Sequence, residues 1–178
     1  MQTPSNGFMK DDYLFSGWIM LRLRPKEYDW RDWLVNICQE NKDNIINAEF
    51  DCHVTLAGGI HRDDVIRYYK NDAFPLDIGG FVVAENHVSY FDNESSVAKF
   101  AIKDSVSVAN LWEFRNQIFA QCRCLEHYPN FQPHITVAYL KKGKRLKETS
   151  NVVPFAHEFF IDSISFSITQ NNGEPLEW

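Results

Sequence analysis

The stretches His53-Val54-Thr55-Leu56-Ala57-Gly58-Gly59 and His134-Ile135-Thr136-Val137-Ala138-Tyr139-Leu140 decide how this sequence folds. Both begin with His-x-Thr and continue with apolar or small residues, a pattern that predicts a β-strand. Side chains at positions i and i+2 of a strand lie on the same face, so each stretch presents an imidazole beside a hydroxyl. The two histidines are 81 residues apart, close to half of the 178-residue chain.

The sequence around these stretches repeats the order strand, helix, His-x-Thr strand. The first unit begins with a strand predicted at Phe15–Leu23 and continues with a helix that Asp29 caps. The second begins with a strand predicted at Val97–Ile102 and continues with a helix that Ser107 caps. We therefore expect two similar lobes that face each other across a cleft, each contributing one His-x-Thr pair.

The other elements follow from hydrophobic periodicity and turn residues. They are a helix at Arg62–Lys70, one strand at Phe81–Phe91 that forms a hairpin with Val97–Ile102, a strand at Phe159–Ile168, a turn at Gly173-Glu174-Pro175, and the end of the first His-x-Thr strand at Gly58-Gly59. Helices mixed with hairpin-linked strands favour an α+β fold, with antiparallel sheets lining a central cleft and helices outside. The length suits one domain, residues 1–178, made of the two lobes.

Composition excludes several classes of function. Eighteen Lys and Arg against 24 Asp and Glu give a net charge of −6, which repels a long nucleic acid. No window approaches the roughly 18 apolar residues of a membrane span, and the N-terminus has no secretory signal pattern. The four cysteines lack paired zinc spacing. We expect a cytoplasmic monomer with no cofactor, no metal site and no membrane partner.

Two facing His–Thr pairs suit acid–base chemistry at a phosphate. The hydroxyls can donate hydrogen bonds to phosphate oxygens while one imidazole removes a proton and the other supplies one. Histidine titrates near pH 6.5, so one ring can be neutral while its partner is charged. Such chemistry needs no metal. The residues leave open which histidine is the acid and which is the base.

The two motifs resemble those of the 2H phosphoesterase superfamily, which is named for two His-x-Thr/Ser motifs. The resemblance implies a bilobal, pseudo-two-fold, LigT-like fold and metal-independent cleavage of phosphodiester bonds in nucleotides or RNA ends. It also implies that His53 and His134 are the general acid/base pair and that Thr55 and Thr136 orient the phosphate.

A narrower resemblance concerns the segment before the second motif and the C-terminus. The run HYPNFQPHIT at 127–136, followed by Tyr139, is similar to the corresponding run of phage anti-CBASS phosphodiesterases, as is the end of the chain with Glu174 and Trp178. Those enzymes destroy the cyclic di- and trinucleotide messengers of bacterial immunity. The resemblance implies hydrolysis of 3′-5′ bonds in such messengers, in the host cytoplasm if the protein is viral.

The candidate substrate-binding residues are mainly aromatic, because rings can stack on nucleobases at about 1 to 3 kcal/mol per base. They are Tyr13, Tyr90, Phe91, Tyr139, Glu174 and Trp178. Two alternatives stay open. The same four motif side chains could act on 2′,3′-cyclic phosphate RNA ends or 2′-5′ oligoadenylates, or the cleft could be a binding module that holds a nucleotide without turning it over.

Overall fold

The computed structural model describes residues 14–71, 80–92, 96–125, 130–150, 157–169 and 175–177. Within these ranges the strands are β1 (Gly17–Pro25), β2 (Ile45–Ala48), β3 (His53–Ile60), β4 (Phe81–Val83), β5 (Ser89–Asp92), β6 (Ser96–Ala101), β7 (His134–Leu140), β8 (Glu158–Thr169) and β9 (Pro175–Glu177). The α-helices are α1 (Trp30–Glu40), α2 (Arg62–Asn71) and α3 (Ser105–Gln121), and Glu148–Ser150 forms a short 3-10 helix. The predicted α+β class is confirmed.

The described strands form one antiparallel sheet with the order β4-β8-β1-β3-β7-β6-β5, while β2 pairs with β7 and β9 with β8. The two His-x-Thr strands, β3 and β7, lie side by side in the middle. In lobe 1, β1 and β8 continue outward from β3, and in lobe 2, β6 and β5 continue outward from β7. In each lobe the strand that begins the sequence repeat, β1 or β6, lies directly beside the His-x-Thr strand.

Alternation along the central strands separates a core face of the sheet from a cleft face. On β1, Ile19 and Leu21 are fully buried, whereas Arg22 is exposed. Helices cover the core face, where Trp30 of α1 contacts the rings of Phe100 and Phe159 at centroid distances of 6.4 and 6.3 Å. The cleft face is therefore the side of the sheet on which the partly exposed side chains of β1 lie.

The predicted cap of α1 is confirmed. The carboxylate of Asp29 accepts a hydrogen bond from the backbone N of Asp32 at 2.9 Å. The apolar side chains Trp30, Leu34 and Ile37 then recur at helical spacing and are buried.

The predicted cap of α3 is wrong by three residues. The helix begins at Ser105, and Asp104 is its N-cap. The Asp104 carboxylate accepts hydrogen bonds from both the backbone N and the hydroxyl of Ser107 at 2.9 Å. A carboxylate at the cap also interacts favourably with the positive end of the helix dipole. The Ser107 hydroxyl in turn accepts a hydrogen bond from the backbone N of Val83 at 3.0 Å.

Four strand predictions also need correction. The first His-x-Thr strand does not end at Gly58-Gly59 but continues to Ile60. The single strand predicted at Phe81–Phe91 is two strands, because β4 pairs with β8 and β5 pairs with β6. Pro175, predicted to lie in a turn, begins β9. β2 is not predicted from the sequence, since its four residues, Ile-Ile-Asn-Ala, do not alternate between apolar and polar.

After each of α1 and α3, the chain crosses to the His-x-Thr strand of the other lobe. β2 follows α1 and pairs with β7, with Asn47 opposite Tyr139. The segment after α3 bridges Cys124 to Ile60 at the end of β3. Backbone hydrogen bonds therefore join the lobes on both sides of the β3–β7 contact, which fixes the relative position of the two His-x-Thr strands.

Candidate active site

The two His-x-Thr pairs meet where β3 and β7 pair. Val54 lies opposite Ile135 in this antiparallel ladder, and both side chains are fully buried on the core face. The residues on either side of them therefore point to the cleft face. When this antiparallel register is continued by one residue in each direction, His53 falls opposite Thr136 and His134 falls opposite Thr55. The quartet formed in this way is His53, Thr55, His134 and Thr136.

Both histidines are oriented by the same backbone contact. His53 Nδ1 lies 2.7 Å from the carbonyl oxygen of Asp51, and His134 Nδ1 lies 2.8 Å from that of Gln132. A carbonyl oxygen only accepts hydrogen bonds, so Nδ1 carries a proton in both rings. Nε2 is therefore the atom at which each ring gains or loses a proton.

A β-bulge follows each threonine at the same position. The register of β3 with β1 shifts by one residue at Leu56, and the register of β7 with β6 shifts by one at Val137. A bulge bends and twists its strand and changes the direction of nearby side chains. The backbone geometry around the two threonines is therefore matched in the two lobes.

The carbonyl of each bulged residue is held from outside the sheet ladder. Leu56 O accepts a hydrogen bond of 2.7 Å from Nη1 of Arg115 on α3, and Val137 O accepts one of 3.0 Å from the backbone N of Glu49. Arg115 is buried, and its guanidinium lies 4.4 Å from the ring centre of Phe119. A side-chain cation thus supports lobe 1 at the point where the main chain supports lobe 2.

The cross-strand neighbours of the quartet differ between the lobes. They are Arg22 opposite His53, Met20 opposite Thr55, Ala101 opposite His134 and Lys99 opposite Thr136. Both cations therefore fall in the row of the sheet that contains His53 and Thr136, which we call the cationic row. The row that contains Thr55 and His134 is flanked by uncharged side chains.

Lys99 is the buried one of the two cations, with 8% of its surface exposed. Its Nζ donates a hydrogen bond to Ser89 Oγ at 2.9 Å and lies 4.2 Å from the ring centre of Phe91. The Phe91 ring in turn meets the His134 ring edge to face, with centroids 4.9 Å apart. Lys99, Phe91 and His134 thus form one contiguous group on the cleft face.

Burial and charge favour the neutral form of His134. Burial lowers the pKa of His134 below its ordinary value, and the nearby positive charges of Lys99 and His53 lower the pKa further. The hydrogen bond to the Gln132 carbonyl opposes this shift without reversing it. A neutral His134 has a free lone pair on Nε2 and can accept a proton there.

Arg22 is linked to the segment that orients His53. Its guanidinium forms an ion pair with Asp51 at 3.2 Å, and the carbonyl of Asp51 is the acceptor for His53 Nδ1. Both partners are about half exposed, and such surface pairs contribute at most about 1 kcal/mol. Arg22 therefore contacts the same residue whose carbonyl holds His53.

Beyond the threonines, the lobes fill equivalent space in opposite ways. In lobe 1, Trp18 lies opposite Gly58, and a methyl group at Gly58 would overlap the indole. In lobe 2, Val97 lies opposite Tyr139. The ring thus comes from the outer strand in lobe 1 and from the His-x-Thr strand in lobe 2. Burial raises the pKa of the Tyr139 hydroxyl, which stays protonated and can donate a hydrogen bond.

The structure brings two of the six predicted substrate-binding residues to the cleft face. Phe91 and Tyr139 both lie there, on lobe 2. Tyr90 points to the opposite face of β5, where its hydroxyl accepts a hydrogen bond from the backbone N of Leu146 at 3.3 Å. The structure therefore does not bring Tyr90 to the quartet.

The other three predicted substrate-binding residues, Tyr13, Glu174 and Trp178, lie outside the described residues. In the part of the chain that the structure describes, no three His, Cys, Asp or Glu residues are grouped in a way that could hold a metal ion. The described helices include none with the length and apolarity needed to cross a membrane.

Lys99 and Arg22 are charged cleft-face residues that sequence reasoning missed. The signal for Lys99 was a single charge within the otherwise uncharged strand Ser96–Ala101, because a lysine is rarely buried without a reason. Their placement beside the quartet depends on strand register, which neither motif encodes.

No protein-family model and no curated protein sequence matches this chain. Solved structures do match. Escherichia coli LigT in complex with 3′-AMP aligns with a TM-score of 0.60 at 12% identity, covering 92% of each chain. A phosphoesterase aligns with a TM-score of 0.59 at 12% identity, covering 91% of this chain and 92% of its own. LigT with NADP+ aligns with a TM-score of 0.54 at 12% identity, again covering 92% of both chains. At this identity the matches establish the fold, and they confirm the predicted LigT-like arrangement.

Proposed function

We propose that the protein is a phosphodiesterase that works through the quartet without a metal and opens 3′-5′ bonds of cyclic di- or trinucleotides. The observation that carries this proposal is the pairing of Val54 with Ile135, which puts two imidazoles and two hydroxyls on one face. A phosphate lying over this face can accept hydrogen bonds from both threonine hydroxyls and keep a histidine on either side.

The environments of the two histidines support one assignment of roles. His134 is the general base, because its burial and the charge of Lys99 favour the neutral ring. Its Nε2 takes the proton from the attacking oxygen, which belongs to water or to a neighbouring 2′-hydroxyl. As that oxygen bonds to phosphorus, the bond to the leaving oxygen breaks, and protonated His53 gives its Nε2 proton to the leaving oxygen. Proton exchange with water restores both rings.

Two features support a cyclic oligonucleotide as the substrate. The segment before His134 resembles that of anti-CBASS phosphodiesterases. Phe91 and Tyr139 also place two rings on the cleft face of lobe 2, and aromatic rings can pack against nucleobases. The low overall charge agrees with a small ligand held by a few placed donors rather than by a basic surface.

A second candidate follows from the fold comparison. LigT has been solved with 3′-AMP and with NADP+, which favours a site for a single nucleotide or an RNA end. The corresponding activity is cleavage of a 2′,3′-cyclic phosphate RNA end or of a 2′-5′ oligoadenylate by the same quartet.

A substrate panel analysed by mass spectrometry tests both candidates. Purified protein is incubated in EDTA with cyclic di- and trinucleotides, an RNA with a 2′,3′-cyclic end and a 2′-5′ oligoadenylate. We expect the cyclic dinucleotide or trinucleotide to be linearised in EDTA and to survive with His53→Ala. Preference for either of the last two substrates would favour the second candidate. Tight binding with every ligand recovered unchanged would instead indicate a binding module.

A further inference from the structure

We propose that Lys99 holds a non-bridging oxygen of the scissile phosphate and so forms an anion site on the lobe 2 side of the quartet. This inference rests on the proposed function and adds a fifth side chain to it. Its first support is position, since Lys99 lies opposite Thr136 on the cleft face. An oxygen that accepts a hydrogen bond from the Thr136 hydroxyl is therefore the oxygen nearest to this ammonium group.

The second support is that Lys99 is a buried cation that forms no ion pair with any described residue, while the nearby charges of Lys103 and Glu85 act on its pKa in opposite directions. Its ammonium group contacts one hydroxyl, that of Ser89, and one ring face, that of Phe91. Of the residues that the structure describes, no carboxylate lies within ion-pair distance of Lys99. Burying an uncompensated charge is unfavourable, and burial accordingly lowers the pKa of Lys99. A bound anion would remove this penalty.

The third support comes from the equivalent position in lobe 1. There, Met20 lies opposite Thr55 and Ser165 lies opposite Met20, just as Lys99 lies opposite Thr136 and Ser89 opposite Lys99. The same backbone position thus accepts an uncharged side chain of similar length. The sheet therefore does not need a charged group at this position. The ammonium group of Lys99 acts on a group in the cleft instead.

The proposed reaction gives the ammonium group of Lys99 a function, which is to stabilise charge on the phosphate. Negative charge builds on the non-bridging oxygens as a nucleophile adds to phosphorus, and a fixed cation in a water-poor site stabilises that charge. The charge of Lys99 also adds to the effect of burial in lowering the pKa of His134. One side chain therefore assists both the phosphate and the general base. The equivalent position beside Thr55 has no cation, so the phosphate is bound asymmetrically.

Inorganic phosphate is a probe of this site that does not depend on turnover. The urea midpoint of wild-type protein is measured over a range of phosphate concentrations, because a ligand that binds the folded state alone raises stability by RT ln(1 + [L]/Kd), from which Kd is obtained. Lys99→Met places the lobe 1 side chain at this position. Lys103→Met is the matched control, since Lys103 is an exposed cation paired with Glu85 at 2.8 Å.

We expect phosphate to stabilise the wild type and Lys103→Met alike, and its affinity to fall about 10- to 100-fold in Lys99→Met. Without phosphate, Lys99→Met should be at least as stable as the wild type, because it removes a buried unpaired charge. Absence of phosphate binding in the wild type, a loss below threefold in Lys99→Met, or an equal loss in Lys103→Met would overturn the proposal. Lys99→Gln, which can keep the bond to Ser89, gives the same comparison if the Met variant does not fold.

The result is separable from the proposed function. If every phosphodiester is left intact but phosphate binding depends on Lys99, the anion site stands and the enzymatic function fails. If a phosphodiester is cleaved equally well by the wild type and Lys99→Met, the enzymatic function stands and the role of Lys99 fails.

Discussion

Lobe 1 and lobe 2 have the same backbone around their motifs but different side chains next to them. Each has a His-x-Thr strand with a bulge after the threonine, and in each the histidine Nδ1 bonds to the carbonyl two residues earlier. Yet Arg22 flanks the histidine in lobe 1, whereas Lys99 flanks the threonine in lobe 2. The common backbone assembles the quartet, and burial together with the charge of Lys99 lowers the pKa of His134.

For the proposed reaction, this difference supports one direction of proton transfer. A symmetric quartet could protonate either oxygen of a phosphodiester equally well. With Lys99 and the ring of Phe91 on the lobe 2 side, proton uptake is favoured at His134 and proton donation is left to His53. The difference between the lobes therefore supports the proposed acid and base roles, which the motifs alone leave open.

The largest expected effect comes from removing each histidine in turn. On a cyclic dinucleotide, His53→Ala and His134→Ala should each reduce kcat by about 10²- to 10⁴-fold, the usual contribution of a general acid or base. A p-nitrophenyl phosphodiester of a nucleoside discriminates between the two roles, because its leaving group departs without a proton. With this substrate we expect His53→Ala to recover most of the wild-type rate and His134→Ala to remain impaired.

The control is the wild type on both substrates, which sets the intrinsic difference between the leaving groups. Recovery by His134→Ala instead of His53→Ala would reverse the assignment and with it the interpretation of the lobe asymmetry. Equal impairment of both variants on both substrates would show that neither histidine acts as a dedicated acid.

A smaller effect is expected from the different supports of the two bulges. Arg115→Met removes the donor to Leu56 O in lobe 1 and should lower the free energy of unfolding by about 1–3 kcal/mol, the cost of leaving a buried carbonyl unsatisfied. Glu49→Ala is the matched variant in lobe 2, since it leaves the main-chain donor to Val137 O in place. Urea unfolding should therefore show a clearly smaller loss for Glu49→Ala.

Equal losses in these two variants would contradict the assignment of different supports to the two bulges. The kcat of the folded fraction gives a second readout. It should fall in Arg115→Met because the bulge lies next to Thr55, and an unchanged kcat would restrict Arg115 to a role in stability.

Sequence alone predicts the quartet because the pattern that defines each His–Thr pair is local. The two-residue period of a strand puts His and Thr on one face, and the repeat of elements predicts two facing copies. Caps and strand ends are less certain, as Asp104 at α3 shows: Asp and Ser are both strong capping residues, and here they are three positions apart. Trp18 over Gly58 explains why a glycine pair can lie within a strand rather than end it.

Cross-strand neighbours are the part that sequence does not provide. Lys99 reaches Thr136 only because a bulge at Val137 shifts the register of β6 on β7, and a shift of one residue would turn Lys99 to the core face. The same dependence applies to Arg22 beside His53. A cleft residue whose position depends on strand register, and not on a motif, can be identified only from the folded structure.

The smallest expected effect is a shift in the pH dependence of kcat/KM. A general base works in its neutral form, so activity is lost as the pH falls through the pKa of His134. Because burial and the charge of Lys99 lower that pKa, the acidic limb of the wild-type profile should lie below the ordinary histidine value of about 6.5.

The charged and titratable groups that act on His134 are Lys99 from β6 and His53 from β3. In Lys99→Met one of these charges is absent, and the acidic limb should move to higher pH, whereas in Lys103→Met it should stay in place. A limb that does not move in Lys99→Met would contradict the assignment of His134 as the base, because the charge of Lys99 lowers the pKa of that ring.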